Sequence, residues 1–252
     1  MTAPVSVDVS CLLGDAGDDP AAAVHRAVAS GFTAVEPWAF DQHVDAYRTA
    51  LRASGASAPS GRASTLDAER PDDVFDAALE LGIGVVVDGC TDAGRWSSAE
   101  RAAQLAAHVN GLAAAAHARG LRLAYRTGSV ELRSTVHGTH ALHVFVRQLD
   151  PRVGLDVDVF AASAAGTNAA LLLQVLGERV RILHLTDGSF DSPAPRQRPL
   201  GWGGLNLPRI LRAAPRAARV LTFTDPAADV TASLRRSLRW LQAHEAQQTH
   251  QP

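Results

Sequence analysis

Short apolar runs rich in β-branched residues alternate with amphipathic stretches along the whole chain, and this alternation constrains the fold more than any other feature. Residues 5–9 read as a strand. Asp18-Asp19-Pro20 then opens a helix through Val24, Ala27 and Val28, with aspartate in the capping position and proline in the first turn. Gly31 ends that helix, and further strands are predicted over residues 32–36, 56–60, 84–88, 121–125, 153–158, 180–187 and 220–223. Helices are predicted between them near 44–54, 71–81, 98–119, 139–149, 168–176 and 207–213, and a last one is striped by Val230, Leu234, Leu238 and Leu241. Eight strand-then-helix units in 252 residues, 46% of them hydrophobic, match a single (β/α)8 barrel over residues 1–243, with a frayed tail over 244–252. An open, doubly wound sheet ranks second. Its first strand-to-helix turn, Ser10-Cys11-Leu12-Leu13-Gly14, lacks the glycines that cradle a pyrophosphate.

Two of the runs end in titratable groups where packing alone would choose valine. Val180-Arg181-Ile182-Leu183-His184-Leu185-Thr186-Asp187 places Ile182 and His184 on one side, and Val153-Gly154-Leu155-Asp156-Val157-Asp158 carries carboxylates in the same way. The C-terminal edge of a parallel sheet or barrel is where ligands bind, so alternation nominates Glu36, Arg62, Arg126, Asp156, His184 and Thr222 for one mouth. His184, Asp156 and Glu36 are the catalytic expectation. Glu36 is either salt-bridged to an arginine such as Arg62 or held ready for proton transfer. Trp38 and Trp202 either wall a substrate face or cap the mouth, and Asp187 orients His184 or a loop.

Composition closes several routes. A formal net charge of −2 offers no nucleic-acid footprint, and no run reaches the length of a membrane span. The N-terminus lacks the layout of a signal peptide, so a cytoplasmic location is expected, with a small-molecule substrate and a homodimer as the partners the sequence admits. Cys11 and Cys90 are too few for a disulfide framework or a thiolate metal site. No lysine occurs, so all 24 basic side chains are arginines. That excludes Schiff-base chemistry and a Walker-type phosphate loop, and no nucleotide cofactor is expected.

The order of the motifs resembles the xylose-isomerase-like TIM barrels, a family that includes sugar phosphate isomerases and epimerases. Gly31-Phe32-Thr33-Ala34-Val35-Glu36 is similar to the family's second strand, Ala58-Pro59-Ser60-Gly61-Arg62 stands where many members have Pro-Ser-x-His, and Tyr125-Arg126-Thr127-Gly128-Ser129-Val130-Glu131 stands at Tyr-His-Asn-His-x-x-Glu. Leu155-Asp156-Val157, His184-Leu185-Thr186-Asp187 and Leu200-Gly201-Trp202-Gly203 resemble three further signatures. The resemblance implies a divalent ion (Mn, Zn or Mg) held by two glutamates, an aspartate and a histidine. Asp156, His184 and Glu131 match three of these, and Thr222 falls where the last glutamate would be, with Asp158 and Asp225 nearby. Arg62 and Arg126 fall at histidines that face the substrate. They either supply the metal's positive charge in a metal-free pocket, clamp an anionic substrate, or point into solvent. The function implied is isomerase, epimerase or lyase chemistry next to a carbonyl of a small polyhydroxylated or anionic substrate, in an unusual pocket suited to specialised metabolism. The alternative is a barrel without catalysis that serves as a ligand-binding or partner subunit. A DNA-repair nuclease would need more histidines and carboxylates and a basic face.

Overall fold

Side chains of alternating direction fix where each short strand lies, because one row must meet the helices and the other must fill the ring. The computed structural model describes residues 5–14, 19–89, 92–136, 138–191, 194–225 and 229–249; Asp18 and Cys90, each part of a sequence expectation, lie outside them. Eight parallel strands form the ring: β1 Ser6–Asp8, β2 Ala34–Glu36, β3 Ser60–Arg62, β4 Val85–Asp88, β5 Arg122–Thr127, β6 Gly154–Asp158, β7 Val180–Leu185 and β8 Ala218–Leu221. Their order is β2-β1-β8-β7-β6-β5-β4-β3. The gap between β2 and β3 is bridged at Ala34–Ser57 and Trp38–Arg62, so the TIM barrel is nearly closed.

Among the described residues ten α-helices surround it: α1 Pro20–Ala29, α2 Val44–Ser54, α3 Pro71–Glu80, α4 Ala99–Ala118, α5 Ser129–Arg133, α6 Ala141–Val146, α7 Val159–Ala164, α8 Ala169–Leu176, α9 Leu207–Ala213 and α10 Val230–Thr249. Capping side chains start many of them. Asp19 accepts from the Ala21 N–H, Ser98 from Arg101, Asp158 from Ala161 and Asn168 from Leu171, each satisfying a backbone donor that the helix cannot. The final helix runs to Thr249, past the break expected at residue 243. The expected helix over 139–149 is shorter. A small hairpin, Thr135–Val136 with Thr139–His140, takes its start, and α5 and α7 were not foreseen because neither has two turns of periodicity to read.

Outward rows such as Val7, Val35, Val86, Leu123, Leu155, Leu183 and Leu221 join the helices in the main core. Inside the ring a separate small cluster, Val87, Ala124, Ile182 and Val220, forms one apolar layer. One step further along the strands, towards their C-terminal ends, the inward positions are Asp8, Glu36, Arg62, Arg126, Asp156 and His184. A charged layer therefore sits directly on an apolar one.

Candidate active site at the barrel mouth

His184 is the hub of that layer. Its Nδ1 lies 2.8 Å from Asp156 Oδ1 and its Nε2 lies 2.8 Å from Glu36 Oε1, so the imidazole is bracketed by two carboxylates. The Glu36 contact is an ion pair out of line for a hydrogen bond. Ser60 Oγ donates to the other Glu36 oxygen at 2.6 Å. Arg126 spans the next two acids, with NH1 donating to Asp156 Oδ2 at 3.1 Å and NH2 to Asp158 Oδ2 at 2.9 Å. Arg62 NH1 donates to Asp8 Oδ2 at 2.7 Å, and the Ser10 N–H and Oγ donate to the second Asp8 oxygen.

Burial makes these pairs strong and mutually dependent. Burial and the Arg126 charge act to deprotonate His184, yet Asp156 and Glu36 outweigh them and its pKa is raised to about 9. Burial likewise acts to raise the Asp156 and Asp8 carboxyls. The charges of His184 and Arg126 hold Asp156 below its ordinary value, and those of Arg62 and His184 hold Asp8 down. Burial alone would lower the Arg126 guanidinium, but Asp156 and Asp158 push it above its usual range. Four carboxylates, Asp8, Glu36, Asp156 and Asp158, thus meet three cations, Arg62, Arg126 and protonated His184.

The two arginines separate this network from solvent. Side chains of Asp156, His184 and Glu36 are wholly buried, whereas 25% of Arg62 and 18% of Arg126 is exposed. Both arginines line a cavity of about 410 Å³ at the mouth, together with Trp38, Asp67, Asp88 and Asp92. Ala39 lines it as well, and its φ of 47° makes it the one non-glycine residue in the left-handed region among those described. Asp88 ends β4. It accepts from the Leu66 N–H at 2.7 Å and the Gly89 N–H at 2.6 Å, and burial still raises its pKa to about 6.

The predicted residues divide on this geometry. Glu36, Arg62, Arg126, Asp156 and His184 come together as alternation requires, and Asp158 joins them. His184, Asp156 and Glu36, the catalytic expectation, have wholly buried side chains, and of the three Asp156 meets Arg126. Glu36 pairs with His184 and Ser60 rather than with Arg62. Glu131 is corrected as a metal ligand: it accepts from the Gly128 N–H at the start of its own helix α5. Thr222 meets the Cys11 thiol at 3.1 Å, and burial, then Asp8, pushes that thiol up to about 12. Trp202 is corrected as a wall of the same pocket as Trp38. It lies 65% exposed in a separate cleft with Asp225, its ring 5.0 Å from the Arg236 guanidinium. Asp187 orients a loop and not His184, accepting from the N–H groups of Gly188, Gly201, Gly203 and Leu205. Sequence reasoning missed Asp8, whose position two residues after Ser6 on an inward row was its one signal, and Asp88.

The divalent ion that the resemblance implies does not fit these residues. Both oxygens of Asp156 are engaged by His184 and Arg126, and neither Glu131 nor Thr222 supplies a carboxylate to the cluster. Among the described residues one other trio, Asp8, Glu36 and His184, brings ligand-type atoms within 4.8 Å of one another. Its Asp8 oxygen is already held by Arg62, and the 2.8 Å between Glu36 and His184 is shorter than the separation of two ligands on one ion, about 3.0–3.4 Å for bonds near 2.1 Å. Arg62 and Arg126 supply positive charge beside these carboxylates.

A (β/α)8 barrel with an ionised, arginine-covered mouth is the class that fold and site define. The family described as xylose isomerase-like TIM barrel matches residues 24–244, and the chain belongs to it. Among solved structures it is similar to a sugar phosphate isomerase/epimerase from Parabacteroides distasonis, with a TM-score of 0.78 and 17% identity over 95% of this chain and 93% of that one. A D-allulose 3-epimerase from Methylomonas sp. superposes with a TM-score of 0.70 and 13% identity, over 96% and 98%. A probable 3-DHS dehydratase from Bacillus anthracis does so with 0.69 and 11%, over 95% and 99%. No curated protein matches the chain significantly. Among the described residues no helix is long and apolar enough to cross a membrane.

Proposed function

We propose that the protein is an isomerase, epimerase or lyase that moves a proton next to a carbonyl of a small hydroxylated anion, with arginine charge where related barrels use a metal. The carrying observation is Arg126, which ties Asp156 to Asp158 from within the ring and also lines the mouth cavity beside Arg62. Two fixed guanidinium groups suit a carboxylate or phosphate, and equally the oxyanion that forms when a carbon next to a carbonyl loses its proton. Asp88 is the proton carrier, since it lines that cavity and burial raises its pKa to about 6. In this reaction the Asp88 carboxylate takes the proton, the C–H electrons pass to the carbonyl oxygen, and an enolate results. Return of the proton to the neighbouring carbon, with the hydroxyl proton passing from one oxygen to the other, gives the isomer; its return to the other face of the same carbon gives the epimer; and its transfer to a β-hydroxyl, which leaves as water while the enolate electrons form the C=C bond, gives the lyase product. His184, Asp156 and Glu36 are positioning residues that lock the arginines. The family and the isomerase, epimerase and dehydratase neighbours support this reading.

Deuterium uptake from D2O into a panel of ketoses and hydroxylated keto acids, followed by NMR, tests it. Uptake is expected with at least one substrate, to survive chelator treatment, and to fall on the order of 100-fold in Asp88→Asn. Mn or Zn at one per chain, with uptake lost on chelation, would sink the metal-free account. A second reading, a barrel that binds without turnover, is favoured by the complete burial of His184, Asp156 and Glu36. It predicts ligand-dependent thermal stabilisation and no deuterium uptake.

A further inference from the structure

We propose that the N-terminal end of the barrel, opposite the mouth, holds a second site for a small organic anion with an apolar body. A cavity of about 550 Å³ opens there, within the range of small-molecule pockets. Arg122, Arg152, Arg181 and His117 line it, and no carboxylate does.

The backbone places two of these arginines. Arg122 is the first residue of β5 and shares its inward parity with Ala124 and Arg126. Arg181 is the extra residue of a bulge, for Leu155 pairs with Val180 while Asp156 pairs with Ile182. A bulge re-aims its side chain. Here it lays the Arg181 stem over Gly154, where a Cβ would come within 2.8 Å of Arg181 Cγ, so the absence of a side chain at 154 is what admits it. Beneath the layer of Val87, Ala124, Ile182 and Val220, the next inward residues Val85 and Ala218 are only partly buried.

Charge and surface then name the ligand class. Arg152 is bound to Asp150 at 2.8 Å, whereas Arg122 and Arg181 have no acidic partner among the described residues. Two unneutralised guanidinium forks select a carboxylate, phosphate or sulfonate. Leu121, Leu123, Ala113 and Pro151 complete the wall and suit an aliphatic or aromatic body. This site is independent of the chemistry at the mouth.

Phenyl phosphate, an aromatic ring bearing a dianion, is the probe, titrated calorimetrically into the full chain with inorganic phosphate alone as the comparison. Saturable binding is expected for phenyl phosphate, weaker by about tenfold or more in an Arg122→Gln/Arg181→Gln double variant and unchanged in Trp38→Ala, which alters only the mouth. Both substitutions of the double variant are at exposed positions, and circular dichroism checks that it folds. Phenyl phosphate binding of the same affinity and stoichiometry in the double variant as in the parent chain, or binding that Trp38→Ala removes, would overturn the proposal. So would the absence of saturable binding, or inorganic phosphate binding as tightly as phenyl phosphate, since the apolar wall would then contribute nothing.

Discussion

A histidine held between two carboxylates makes the stability of this barrel pH-dependent in a defined direction. The folded pKa of His184 is about 9 against an ordinary 6.5, so the folded chain binds that proton more tightly than the unfolded one. Its contribution is fully present below pH 6.5 and is lost as pH rises through about 9. Asp8 and Asp156 act oppositely, because their folded values lie below the ordinary 3.8; their contribution is present above that value and lost in stronger acid. Urea midpoints should therefore fall between about pH 6.5 and about pH 9, by a few kcal/mol of unfolding free energy on the order of magnitude. His184→Gln should flatten that limb, and an equal slope in the two proteins would refute the assignment. That His184 and Asp156 face inward was legible from strand parity alone. That Arg126 and Arg62 cover them was not, since parity gives direction but not which of two long side chains closes over the other.

At the scale of single elements, the loop after β7 depends on one carboxylate. Asp187 gathers the N–H groups of Gly188, Gly201, Gly203 and Leu205, and folds the small hairpin Asp187–Ser189 with Arg196–Arg198 back on the barrel. Gly203 stands so close that a Cβ would lie 2.3 Å from Asp187 Oδ1 and 2.4 Å from the Gly188 nitrogen. Gly203→Ala should cost roughly 1–3 kcal/mol by breaking these hydrogen bonds, and speed tryptic cleavage after Arg196. An unchanged cleavage pattern would mean that the loop is held by other contacts. Residues 189–204 are rich in glycine and proline and carry no strand or helix period, and the sequence left open whether Asp187 served His184 or a loop. Only the distances decide for the loop. The long helices α4 and α10 were legible from their apolar stripes, while α5, α7 and the hairpins were hidden because so few residues carry no period.

For the molecule as a whole, the ring is weakest where β2 meets β3, two isolated bridges joining what full ladders join elsewhere. Hydrogen exchange should accordingly find the Val35 and Ser57 amides, which donate across that seam, less protected than the Leu183 and Leu155 amides at the centre of the β5–β6–β7 wall. Equal protection would indicate a ring that opens only globally. The sequence by itself determined the number and order of the units, the inward parity of the ionisable residues and the absence of any lysine, because these follow from period-2 and period-3.6 patterning and from composition, which are local. Tertiary structure alone decided that Asp8 completes the cluster, that Glu131 and Trp202 stand outside it, and that arginine takes up the charge of Asp156 and Asp158. Those outcomes rest on distances between strands remote in the chain, and a Coulomb interaction between two buried groups depends on that separation and on the water excluded around it, neither of which a linear pattern encodes.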